Sequence, residues 1–68
     1  MIVYTVYLKK SGTYVKGVIC KNQEEINTVI DNADEYEEYL VIARNLELNM
    51  DFPLERGTIN HTSKRRKL

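Results

Sequence analysis

Sixty-eight residues are enough for one domain, and a chain of this size buries only about 60% of the surface its unfolded form exposes. Apolar residues make up 43% and charged residues 29%, with ten basic against ten acidic side chains, which excludes an intrinsically disordered body. The lone cysteine, Cys20, excludes an intrachain disulfide and the secreted scaffolds that depend on several, so a reducing, cytoplasmic setting is expected.

The zero net charge conceals three blocks. Residues 1–22 hold Lys9, Lys10, Lys16 and Lys21 and no acid. Residues 23–55 hold all ten acids against Arg44 alone, and residues 56–68 hold Arg56, Lys64, Arg65, Arg66 and Lys67 without an acid. A field of one sign selects ligands of the other, so this sorting bears on partners rather than on a reaction.

In chain order, residues 2–20 are expected to form a β-hairpin. Apolar and polar residues alternate along both arms, and Ser11-Gly12 supplies a two-residue turn in which glycine accepts positive φ. Regular pairing outward from that turn sets Lys9 against Tyr14, Leu8 against Val15, Tyr7 against Lys16 and Val3 against Cys20. One face then carries Ile2, Tyr4, Val6, Leu8, Val15, Gly17 and Ile19 as the core side. The other carries Thr5, Tyr7, Lys9, Tyr14 and Lys16, with Val3, Val18 and Cys20 as an apolar patch at its far end. A slip of one residue would exchange these faces. The apolar run over residues 2–8 is too short to span a bilayer, and its lysines follow rather than precede it, unlike a signal peptide.

Residues 22–32 are expected to form a short helix. Asn22 suits the N-cap and Glu25 the third helical position, so the two can close a box-like cap, and Glu24 adds a second acid at the positive end of the dipole. Ile26, Val29, Ile30 and Ala33 follow the spacing of one buried stripe. Residues 39–43 are rich in strand formers, and Leu46, Leu48, Met50 and Phe52 alternate like a further extended segment. Tyr36, Tyr39, Leu40, Ala43 and Leu46 also fit a helical face, but strand is the reading adopted. The expected fold is therefore a small single α+β domain, ββαβ or ββαββ. A right-handed crossover would set the third strand beside the first, and the first in the middle of the sheet. Pro53 and Gly57 are taken to end the ordered body, giving a domain over residues 1–57 and a flexible basic tail over residues 58–68.

Four features bear on function. The acidic stretch Glu24, Glu25, Asp31, Asp34, Glu35, Glu37 and Glu38 has no intervening base and can present carboxylates to a basic protein surface. Lys64, Arg65, Arg66 and Lys67 can neutralise phosphates. Tyr7, Lys9, Tyr14 and Lys16 form a checkerboard of rings and cations on which single-stranded nucleic acid could stack. The patch of Val3, Val18 and Cys20 points to self-association as a homodimer, with Cys20 a small buried hydrophobe rather than a reactive thiol. His61 is the sole histidine and falls in the expected tail, and there is no phosphate loop or nucleophile motif, so no catalytic residue, metal ligand, cofactor or small-molecule substrate is expected. The reading is a non-catalytic binding or regulatory protein acting on a protein partner through its acidic middle. Nucleic-acid binding and a structural homo-oligomer are the alternatives, and no membrane partner is expected.

Overall fold

The computed structural model describes residues 1–59, which form β1 (Ile2–Lys10), β2 (Thr13–Cys20), α1 (Gln23–Asp31), β3 (Glu38–Asn45) and β4 (Met50–Thr58). The first two strands meet at the expected turn, where Ser11 and Gly12 both take positive φ, 56° and 81°. That pair of conformations matches the twist of a two-residue hairpin. Lys10 faces Thr13 and Lys9 faces Tyr14 as expected, but a bulge then takes Val15 out of register, and Leu8 pairs with Lys16.

The bulge corrects everything beyond it. Tyr7 lies opposite Gly17, Val6 opposite Val18 and Tyr4 opposite Cys20. Val18 and Cys20 therefore join the core face, whereas Val15, Gly17 and Ile19 turn to the other side. Burial follows the shifted register: Cys20 is buried and Ile19 is 72% exposed. The apolar patch of Val3, Val18 and Cys20 does not exist as a surface.

The helix forms where its capping residues place it. Asn22 Oδ1 accepts the Glu25 N–H at 2.9 Å, and Glu25 Oε1 accepts the Lys21 N–H at 2.8 Å, one residue before the cap. Ile26 is fully buried, and Val29, Ile30 and Ala33 complete the stripe.

All strand pairs are antiparallel, in the order β2-β1-β3-β4. The first strand is thus internal, and β3 lies beside it as the crossover requires. Residues 38–45 are strand rather than helix. The fourth strand begins at Met50, later than the alternation over residues 46–50 suggests, because residues 46–49 form the turn: Asn45 Oδ1 accepts the N–H groups of Glu47 and Leu48. This strand runs through Pro53 and Gly57 instead of ending there. Pro53 is tolerated because β4 is an edge strand with a bulge at that point. Strand and core accordingly continue past 57. Thr58 closes β4, and Ile59 is buried, its N–H donating to Glu37 O at 3.0 Å. The remainder of the expected tail lies outside the described residues.

The core is Val6, Leu8, Cys20, Ile26, Ala33, Val41 and Ile59. The helix packs on β1 and β2. A helix about 10 Å wide covers about two strands spaced about 4.8 Å apart, so one helix does not reach across four. No helix among the described residues is long and apolar enough to cross a membrane.

Candidate interaction surface

Each cross-strand row can be read from the register. On the helix side the rows are Ile2–Asn45–Met50, Cys20–Tyr4–Ala43–Phe52, Val18–Val6–Val41–Glu55 and Lys16–Leu8–Tyr39–Gly57. On the open side they are Val3–Arg44–Asp51, Ile19–Thr5–Ile42–Pro53, Gly17–Tyr7–Leu40–Arg56 and Tyr14–Lys9–Glu38–Thr58.

Of the four residues proposed as a nucleic-acid platform, three share the open face. Tyr7 and Tyr14 meet edge to face, with centroids 6.3 Å apart and planes at 71°. Lys9 Nζ stands 5.4 Å from the Tyr14 centroid and 3.6 Å from Glu38 Oε1, so a neighbouring carboxylate balances its charge. Lys16 is on the other face, beside Leu8, Val18 and Asn32. The bulge at Val15 separates it from the rings. Lys64, Arg65, Arg66 and Lys67 lie outside the described residues.

The seven acids do not form one row. Glu24 and Glu25 stand in the first helical turn and Asp31 in the last, roughly 10 Å away along the axis. Several of the seven work inside the fold. Glu25 closes the cap. Glu37 Oε1 accepts the Ser11 N–H at 3.1 Å while its own N–H donates to Lys9 O at 2.8 Å, locking the hairpin turn to the start of β3. Glu38 pairs with Lys9. The pKa of the Tyr36 hydroxyl is raised by desolvation first and by the Glu35 carboxylate second. Asp34 lies in the loop between α1 and β3.

A different surface stands out, one that the alternation of residues 46–52 does not announce. Leu46, Leu48, Met50, Phe52 and Leu54 are all between 44% and 63% exposed. No residue of β4 is buried among the described residues. By the register, Met50 and Phe52 sit on the helix side together with Ile2, itself 41% exposed. This apolar shelf continues the core outward from Tyr4 and Ala43, where cover by the helix stops.

Charges beside the shelf form two ion pairs within the chain. Arg44 pairs with Asp51 at 3.3 Å and also donates to Asn49 Oδ1 at 2.8 Å. Glu47 stands 3.5 Å from the Met1 amine. Glu55 accepts the Tyr39 hydroxyl at 2.9 Å, and that phenol's pKa is raised by burial and then by this carboxylate. Tyr39 reaches Glu55 by lying across Gly57, where a methyl group would come within 2.5 Å of its hydroxyl oxygen.

The Cys20 thiol is buried, and desolvation, followed by the Glu25 charge, raises its pKa above the ordinary 9.0. Thiolate is the reactive form, so Cys20 packs rather than reacts. Among the described residues, no three His, Cys, Asp or Glu side chains stand close enough to share a metal ion. Comparison with protein-family models, curated proteins and solved structures finds no match.

Proposed function

We propose that this chain is a non-catalytic protein-binding module whose contact surface is the apolar shelf at the β3–β4 hairpin. One observation carries the reading: five large apolar side chains in succession along one hairpin stay about half exposed while Arg44, Asp51 and Glu47 beside them are already ion-paired. Contiguous apolar surface on a small domain marks a place where another macromolecule binds. The acidic stretch is not taken as the contact surface, since Glu25, Glu37 and Glu38 are engaged by the fold's own bonds and Glu38 lies at the end of β3 away from the shelf.

A second reading is single-stranded nucleic acid stacked on Tyr7 and Tyr14. The partial exposure of both rings, 39% and 40%, on a face without a helix favours it. Photo-crosslinking of the full chain in cells separates the surfaces, with the reactive residue placed in turn at Leu48, Glu24 and Tyr14. Polypeptide adducts from Leu48 above the other two positions support the shelf. Polypeptide adducts from Glu24 instead would transfer the function to the acidic stretch, and nucleic-acid adducts from Tyr14 would favour the second reading. Failure of Leu48 to form polypeptide adducts overturns the proposal.

A further inference from the structure

We infer that the occupant of the shelf is a second copy of this chain, packed face to face about a two-fold axis; this rests on the shelf being the binding surface. The face is the bare half of a sheet, with Ile2, Met50 and Phe52 standing over Tyr4 and Ala43. The natural complement of such a face is another sheet face about 10 Å away, and in a two-fold contact the same patch serves both partners.

Charge is compatible with the same occupant. Beside the shelf, Arg44 is ion-paired with Asp51 and Glu47 with the Met1 amine, and the Arg44–Asp51 pair is on the opposite face. Glu55, which accepts the neutral Tyr39 hydroxyl, keeps its negative charge.

Area is sufficient. Ile2, Met50 and Phe52 on the face, with Leu46 and Leu48 in the adjoining turn, are each about half exposed and offer on the order of 100 Å² apiece. Two copies together then bury about 1,000 Å², the lower bound for a specific interface. Strand addition is disfavoured on this edge, because Pro53 and the adjacent bulge interrupt the outer side of β4. Contact through the face avoids that obstacle.

Sedimentation equilibrium of the full chain between about 10 and 500 µM tests the inference. The expected mass rises with concentration toward twice the 8.0 kDa of one chain. Combining Met50→Lys with Phe52→Lys should hold the mass at that of one chain throughout, with an unchanged circular-dichroism spectrum. Ile19→Lys, on the opposite face, should still associate. If the double variant does not fold, Leu48→Glu in the turn reads the same surface outside the ladder. A wild-type chain that stays monomeric overturns the second copy; the protein-binding reading then stands or falls on whether Leu48 crosslinks to a different polypeptide. Association that survives the shelf substitutions, or is lost with Ile19→Lys alone, also overturns it.

Discussion

The two halves of the sheet have similar strands and opposite fates. In β1 and β2, the residues under the helix are sealed at the centre: Val6, Leu8 and Cys20 are each at most 2% exposed. In β4, the residues on the same side stay in water, although Met50 and Phe52 are as apolar as their counterparts. Hydropathy does not separate the halves; cover does. The one helix has a footprint of about two strands, and the sequence supplies apolar side chains to both halves. The first half builds the core of the domain, and the second is the surface that the proposed function assigns to a partner.

Substitutions that compare the halves can break this account. The largest difference is expected between Ile26→Ala and Leu48→Ala. Removing the Ile26 side chain empties the centre of the covered half and should cost about 2–5 kcal/mol, enough to unfold so small a domain. Leu48→Ala, in exposed surface, should stay within about 0.5 kcal/mol in dilute urea titrations. Equal losses would show that the shelf is part of the folding core.

The two edge glycines give the next contrast. At Gly57 an added methyl meets the Tyr39 ring and hydroxyl at 2.5–2.8 Å, and Gly57→Ala should cost about 1–3 kcal/mol. At Gly17 the nearest atom is Tyr7 Cε1 at 3.3 Å, on a ring that can yield, and Gly17→Ala should change stability by less than about 1 kcal/mol. The same titrations report both. Asn22→Ala removes the cap of the covering helix and should cost about 1 kcal/mol; it tests whether the covered half depends on α1.

The smallest effect is expected in alkali. Cys20, Tyr36 and Tyr39 all have raised pKa values in the fold. The folded chain then holds protons that the unfolded chain releases, so stability is full below the ordinary thiol value of 9.0 and falls as pH rises past it. Cys20→Ala should flatten the first part of that decline in thermal melts followed from neutral to alkaline pH. A decline with unchanged slope would show that the thiol does not contribute.

Much of the covered half was legible in the sequence. Ser11-Gly12 has few alternatives to a hairpin turn, and Asn22 with Glu25 and the spacing of Ile26, Val29 and Ile30 determine the helix. The second arm of the hairpin was not. Val18, Ile19 and Cys20 are all apolar, so alternation has no phase there, and a one-residue bulge reverses the faces without a trace in the pattern. A usable signal was the glycine opposite a tyrosine, since an aromatic ring lying over an edge glycine pairs Tyr7 with Gly17. The bare half misled for a different reason. Leu46, Leu48, Met50 and Phe52 alternate like core residues, but periodicity reports which side chains share a face and not whether anything covers it. One helix for four strands leaves part of such a face bare.

The most direct test of the central claim is the dilution of methyl-labelled full-length chain, followed by nuclear magnetic resonance. The account expects the methyl signals of Ile2, Leu46, Leu48 and Met50 to shift with concentration while those of Ile19 and Ile26 stay still. Signals that move at Ile19 and remain fixed along the shelf, or no movement anywhere, would contradict it.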